Sequence, residues 1–281
     1  MTDPQPHFEY VSAEGRTVRA ALWRAPTPPA GAKYPPILFF NGIGANIELM
    51  SPLATWFPDR DILTFDMPGV GGSPPPVLPY RPWMIARLAA KILDHFGYRE
   101  CDVMGVSWGG GLAQQFALQH GKRVRKLILA ATSTGALMVP GDVRTLSKMA
   151  SPRRYFDPRY MKQHFETLYG DEAAGGADGH VSRISPPTRI GYLYQLTAMI
   201  GWTSAHFLPF IKQPTLVLMG DKDSIVPLIN GRILARLLPR ARLEIVEGAG
   251  HLFLVTKAED SARRIRAFLE EPTAAASARG V

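Results

Sequence analysis

One cysteine in 281 residues rules out a disulfide within the chain and suits a reducing compartment. No apolar run approaches the roughly 18 residues that a membrane span needs. Residues Met1 to Gly15 are polar and show no basic segment followed by an apolar one, so no secretory signal is read and the expected location is the cytoplasm. No Cys/His spacing resembles a metal site. No Gly-x-Gly-x-x-Gly follows a strand, and Gly69-Val70-Gly71-Gly72 lacks the Lys-Ser/Thr of a phosphate loop, so neither a metal nor another cofactor is expected. The net charge is +8, yet the basic residues are spread along the chain, with modest groups at Lys122 to Lys126, Arg153-Arg154 and Arg263-Arg264. Without a clustered patch and a recognition motif, this predicts a solvated face rather than a nucleic-acid partner. It leaves attraction to an anionic surface or coat open.

What is present is ordinary for an enzyme-sized globule: 46% hydrophobic and 20% charged residues, enough for one large domain with room for an inserted subdomain. Phe8 to Val11 and Thr17 to Trp23 alternate around Glu14-Gly15 as a hairpin. After the Pro/Ala/Gly loop Pro26 to Pro36, the run Ile37 to Phe40 reads as a strand buried on both faces. A helical pattern (Ile47 to Phe57), a strand (Ile62 to Phe65) and a second helix (Trp83 to Phe96) come next. Strand Cys101 to Val106, helix Leu112 to His120 and strand Leu127 to Ala131 continue the alternation. It then stops for about eighty residues, which hold helical pieces with aromatics and a Gly/Ala/Asp loop over Asp171 to Gly179. It resumes with strand Thr215 to Met219, helix Leu228 to Leu238, strand Leu243 to Val246 and helix Ala258 to Leu269. Such repetition predicts an α/β fold with a mainly parallel sheet, helices on both faces, and ligands at the carboxyl ends of the strands. Residues 1–133 and 214–271 are expected to form the core, 134–213 a largely helical cap over that rim, and 272–281 a flexible tail.

The chemistry centres on Gly105-Val106-Ser107-Trp108-Gly109, a serine between glycines at a strand-to-helix turn. A glycine-rich chain could produce that string as an ordinary loop, but its placement is that of a nucleophile elbow. The turn asks for small residues because strand and helix approach closely there. A serine hydroxyl needs a base to take its proton. Downstream lie His120, His164, His180, His206 and His251. Only His251 comes after the last strand, on a loop that can return to the elbow. The base in turn needs a carboxylate. Asp221 and Asp223 both come after strand Thr215 to Met219; Asp223 is preferred because it lies deeper in the loop, while Asp221 at the strand end suits an Asx-type turn. An oxyanion needs two backbone donors: the N–H of Trp108 and one from Asn41-Gly42-Ile43-Gly44, assigned to Ile43, with Asn41 orienting that loop through its amide. Asp66 with Pro68-Gly69-x-Gly71 reads as a turn bridged by a carboxylate, and Cys101 as a buried, inert thiol.

With these residues in place, the chain resembles the α/β-hydrolase superfamily. More narrowly it is similar to intracellular medium-chain-length poly(3-hydroxyalkanoate) depolymerases. The likeness runs through Phe40 to Asn46, Phe65 to Ser73, Gly105 to Gly110, Leu112 to Ala117, Met138 to Gly141, Met149 to Tyr155, Gly201 to Ser204, Pro227 to Asn230 and Gly250 to Leu254. Elbow, acid and histidine loops specify only the superfamily; the cap segments point to the narrower family. The chain departs from the family's pattern over Asp171 to His180, in the tail and in a longer loop before His251, which bears on cap shape and chain-length preference. The resemblance implies Ser107 as nucleophile, Asp223 as acid and His251 as base. The implied reaction is hydrolysis of polyester ester bonds, releasing 3-hydroxyalkanoic acids, with association to polyester granules. The aromatics Trp202, Phe207, Phe210, Tyr192 and Tyr194 offer either a docking surface for that polymer or the cap's own core. Two alternatives stand beside this reading: an esterase of soluble medium-chain esters, and a catalytically silent receptor or granule scaffold on the same fold.

Overall fold

Glu14 and Gly15 both take positive φ, 53° and 70°, the geometry of a two-residue turn whose twist matches antiparallel strands. It joins β1 (His7–Ala13) to β2 (Arg16–Trp23), with Ala13 opposite Arg16. The remaining strands are β3 (Ile37–Phe40), β4 (Ile62–Phe65), β5 (Cys101–Val106), β6 (Val124–Ala130), β7 (Thr215–Gly220) and β8 (Ala241–Val246). They form an eight-stranded sheet in the order β1-β2-β4-β3-β5-β6-β7-β8. Only the pairings β1-β2 and β2-β4 are antiparallel; from β4 to β8 every pairing is parallel. This computed structural model describes residues 5–25, 34–151, 153, 157–169, 179 and 181–272.

Strand side chains alternate between two cores with the period of two that the pleat imposes. Leu38, Phe40, Val103, Leu127, Leu129 and Val217 join one core. Ile37, Phe39, Met104, Ile128, Leu216 and Leu218 join the other. The first core is closed by α2 (Pro82–His95), α3 (Trp108–Gln119) and α7 (Leu228–Leu237) through Leu88, Ile92, Phe116 and Leu234. The second is closed by the short turn α1 (Ser51–Ala54) and by α8 (Ala258–Glu270) through Leu53, Ile265 and Phe268. Because both faces are covered, β3, β4 and β7 are buried at every residue, which is why they are apolar on both faces apart from the buried Thr64 and Thr215.

Two helices differ from the sequence reading. The pattern from Ile47 to Phe57 folds as a 3₁₀ turn, Ile47–Met50, followed by α1. Pro52 has no N–H to reach back to Glu48, so a continuous α-ladder cannot form there. Conversely α3 begins at Trp108, four residues ahead of the expected Leu112, and takes Gly109, Gly110 and Gly111 into its first turn. Three successive glycines oppose a helix by propensity; close packing of that turn on the sheet decides otherwise.

Between β6 and β7 the described residues carry α4 (Val143–Ala150), α5 (Pro158–Tyr169), α6 (Arg189–Ala198) and a 3₁₀ turn at Leu208–Phe210. α4 and α6 are capped by Asp142 and Thr188, whose side chains accept from the N–H groups of Thr145 and Gly191. The expected loop over Asp171 to Gly179 lies, apart from Gly179, outside the described residues, as do Tyr155, Phe156, His180 and residues 273–281 of the expected tail. Trp202 Nε1 donates to Gln115 Oε1 at 2.8 Å, tying the inserted segment to α3. Arg125 and Arg60 pair with the buried Asp102 on β5. No helix among the described residues is long and apolar enough to cross a membrane.

Candidate active site

Ser107 stands between the last residue of β5 and the first of α3, with φ 54° and ψ −121°. This backbone region is disfavoured for any residue with a Cβ and costs about 1–3 kcal/mol. The glycines around it make room. A Cβ on Gly109 would lie 2.2 Å from the Phe40 carbonyl oxygen, and one on Gly105 would lie 2.4 Å from that of Gly109. Thr132, beyond the end of β6, donates its hydroxyl to the Ser107 carbonyl at 2.7 Å, pinning the turn from the adjacent strand.

The carboxyl ends of β7 and β8 bring the other two groups. The Asp223 carboxylate is held by the backbone: its Oδ1 accepts from Ile225 N–H at 2.9 Å and Val226 N–H at 2.8 Å. Its Oδ2 faces His251 Nδ1 at 2.7 Å, and His251 Nε2 lies 3.0 Å from Ser107 Oγ. An ionised carboxylate only accepts, so Nδ1 carries the proton; in the neutral ring Nε2 is then bare and accepts from the serine hydroxyl. Both Asp223 and His251 are 5% exposed, so water competes little for the relay. Asp221 takes a different structural part from the Asx-type turn expected of it: its Oδ1 accepts from Ala249 N–H at 3.2 Å, steadying the loop that carries His251, while the Asx-type bond to the N–H two residues on is made by Asp223. Gly220 allows the two loops to touch, since a Cβ there would meet the Ala249 carbonyl at 2.2 Å.

The other histidines sit elsewhere. His120 ends α3 against the Phe116 ring, His164 packs on Tyr160 in α5, and His206 packs on Phe207.

The loop after β3 faces the elbow. Asn41 Oδ1 accepts from Gly42 N–H at 2.9 Å and its Nδ2 donates to the Asn46 carbonyl at 3.0 Å, the orienting role its amide suggested. Gly44 takes φ 68° and donates its N–H to Gln195 Oε1 at 2.8 Å. Gln195 is a fully buried residue of α6 that no sequence signal marked. The wholly buried Asn46 donates to the Arg183 carbonyl at 2.9 Å and accepts from Ser185 N–H at 3.1 Å. The inserted segment thus holds this loop at two points. Below it, Asp66 Oδ1 accepts from Ile47 N–H and Oδ2 from Gly72 N–H, while Arg19 pairs with the same carboxylate. Burial outweighs these partners and pushes the Asp66 carboxyl up to about 6. On the opposite side, Trp108 opens α3, so its N–H has no carbonyl one turn back to bond. The loop after β3 and the start of α3 thus both border the serine, with Ile43 and Trp108 lining the cavities at Ser107.

Two apolar cavities meet at Ser107. One runs beneath Leu49, Met50, Leu53, Met161 and Leu254, with His251 on its wall. The other runs between Trp108, Met138, Met199, Trp202 and Ile225. The aromatics considered for docking divide: Trp202, Phe207 and Tyr192 are buried, while Phe210 is 69% exposed. Most of that set is therefore core or cavity wall. Among the described residues no group of three His, Cys, Asp or Glu side chains is placed to hold a metal ion.

The family model described as alpha/beta hydrolase fold matches residues 35–171 and 184–258. The chain is 46% identical over 277 residues to the poly(3-hydroxyalkanoate) depolymerase of Ectopseudomonas oleovorans, covering 95% of this chain and 94% of that protein. It is 30% identical over 252 residues to a pimeloyl-[acyl-carrier protein] methyl ester esterase of Neisseria meningitidis, with 83% and 92% covered. Among solved structures, a hydrolase of Pseudomonas aeruginosa PA01 superposes with a TM-score of 0.77 at 21% identity, over 94% of this chain and 99% of that one. At that identity the likeness speaks for the fold.

Proposed function

The chain belongs to the alpha/beta hydrolase fold family, and from that premise we propose that it is a serine esterase that depolymerises medium-chain poly(3-hydroxyalkanoate). The observation that carries the reading is the relay of Ser107, His251 and Asp223, at 3.0 and 2.7 Å, on a chain 46% identical to a depolymerase. Ser107 Oγ attacks the ester carbonyl carbon while His251 Nε2 takes its proton, and Asp223 stabilises the imidazolium that forms. The carbonyl π-electrons move to oxygen, and the Ile43 and Trp108 N–H groups bind that oxyanion. When the tetrahedral carbon collapses, the bond to the 3-oxygen breaks and His251 protonates it, releasing a shortened chain or a 3-hydroxy acid. Water, deprotonated by His251, then cleaves the acyl-enzyme and frees the acid.

Residues 134–213 act as the cap in this reading, supported by the two grips of Gln195 and Asn46 on the loop after β3. The site of action is the surface of cytoplasmic polyester granules. The experiment that tests the proposal is release of 3-hydroxy acids from purified medium-chain and short-chain granules, run beside hydrolysis of p-nitrophenyl octanoate and fluorophosphonate labelling of Ser107. Preferred release from medium-chain granules is expected. Fast ester cleavage with no release from either granule overturns the polymer assignment. An unlabelled Ser107, or full esterase activity in Ser107→Ala, overturns the enzyme assignment.

A second reading, hydrolysis of soluble medium-chain esters, is favoured by the burial of Trp202, Phe207 and Tyr192, which offer little aromatic surface to a solid polymer. The granule arm of the same experiment separates the two.

A further inference from the structure

The two cavities have separate walls and a common floor: Ser107, Ile43 and Met149 line both, His251 lines only the first, and Trp108 only the second. A polyester of 3-hydroxy acids carries an alkyl branch on each side of every ester. On the alcohol side the branch springs from the carbon that bears the leaving oxygen; on the acyl side it springs from the second carbon beyond the carbonyl. A scissile ester centred on Ser107 therefore has two side chains to bury, and the site has two apolar cavities there.

Reaction chemistry fixes which cavity takes which branch. His251 Nε2 must protonate the leaving oxygen, so that oxygen and the carbon attached to it lie on the histidine side of the serine. The acyl carbon skeleton leaves the tetrahedral centre in the other direction, toward Trp108, which lines the second cavity.

We infer that the cavities are paired side-chain subsites: the one walled by His251 takes the alkyl branch of the leaving residue, and the one walled by Trp108 and Trp202 takes that of the acyl residue. The inference rests on the serine-esterase reading and narrows it. The two walls make the two chain-length preferences independent. Ala136 lines only the acyl cavity and is exposed, while Ile184 lines only the leaving-group cavity and is half-buried. Both lie outside the relay; Ile184 sits between Arg183 and Ser185, whose backbone groups hold Asn46, and enlarging its side chain leaves those backbone donors and acceptors in the chain.

The test uses two series of soluble esters. In p-nitrophenyl acetate through decanoate the acyl chain varies and the leaving group does not. In the butyrates of 2-butanol through 2-decanol the acyl group is constant, and the leaving secondary alcohol resembles the 3-hydroxyl of the polymer. Ala136→Phe is expected to lower the octanoate-to-butyrate ratio of kcat/KM about tenfold or more and to leave the 2-octyl-to-2-butyl ratio within about twofold. Ile184→Trp is expected to do the reverse. Circular dichroism melting checks each fold, with Ala136→Leu and Ile184→Phe as smaller steps where a bulky variant does not fold. Responses exchanged between the series, or both variants acting on one series, overturn the assignment. Hydrolysis of both series with the predicted pattern but no release from granules leaves the subsites standing and removes the polymer. Hydrolysis of neither series removes the esterase reading and the subsites with it.

Discussion

Replacing Asp223 by asparagine tests the relay with almost no change in volume. In the native site Oδ1 accepts from the Ile225 and Val226 N–H groups and Oδ2 accepts from His251 Nδ1. An asparagine that keeps its oxygen toward the two backbone donors must point its NH₂ at Nδ1. The imidazole then keeps Nδ1 bare and moves its proton to Nε2, where it faces Ser107 Oγ as a donor and cannot accept the serine proton. Flipping the amide to restore the catalytic tautomer would leave the Ile225 and Val226 N–H groups against an NH₂, two buried donors unsatisfied at about 1–3 kcal/mol each. The backbone therefore locks the unproductive tautomer. The expected loss is about 10⁴-fold in kcat, by analogy with the same change in other Ser-His-Asp enzymes, which is about 5 kcal/mol of barrier. Steady-state hydrolysis of p-nitrophenyl octanoate measures it, with thermal melting as the control for folding. Asp221→Asn is the companion: its oxygen can still accept from Ala249 N–H, so a loss of less than about tenfold is expected. A folded Asp223→Asn within tenfold of the native kcat, or a larger loss in Asp221→Asn, refutes the reasoning.

Gly109→Ala places a methyl 2.2 Å from the Phe40 carbonyl, a backbone atom that cannot step aside; a loss of about 1–3 kcal/mol in urea unfolding is expected, together with loss of fluorophosphonate labelling. Gln195→Leu deprives the Gly44 N–H of its acceptor and loosens the loop after β3, so kcat should fall about tenfold or more with KM little changed, while Gln195→Glu, which keeps an acceptor oxygen, should recover much of it. Asp66 has its carboxyl pushed up from 3.8 to about 6 by burial, so between those values the native chain binds a proton that the unfolded chain has released. Its contribution to stability is full below about pH 4 and declines as pH rises through 6; denaturation midpoints of the native protein, compared with Asp66→Asn across pH 4 to 7, should show that decline. Burial also pushes the Cys101 thiol up, out of the reactive range, so the native protein should resist iodoacetamide at pH 8 and react once unfolded in urea.

Much of this molecule is written locally. Strands β3, β4 and β5 fold at the bounds that their largely apolar runs indicate, because a strand covered on both faces draws nearly all its residues from the core, the polar Thr64 and Asp102 being buried as well. Ser107, Asp223 and His251 could be placed because each lies in the segment that follows a strand, and parallel strands deliver the loops at their carboxyl ends to one rim. The helix behind the elbow was legible only in part. Its first turn is glycine-rich, and propensity argues against a helix until the Phe40 carbonyl and the Thr132 side chain are seen to occupy the space a Cβ on Gly109 or Gly110 would need. The break at Ser51 in the 47–57 pattern was likewise hidden, since apolar spacing is blind to the missing N–H of Pro52.

The sequence by itself determined the α/β architecture and pointed to Ser107, His251 and Asp223, which the structure brings within hydrogen-bond distance of one another. These depend on residue type at a fixed place relative to a strand. Only the tertiary structure decided what the inserted segment does. Gln195 is 151 positions from Gly44, and neither its helix nor its spacing distinguishes it from a neighbouring polar residue. Its contact exists because α6 folds back over the loop after β3. The same folding decided that Trp202 and Tyr192 wall a cavity instead of facing solvent, and that the serine lies between two apolar chambers. Periodicity tells which side of an element is buried; what it is buried against is a property of the whole chain.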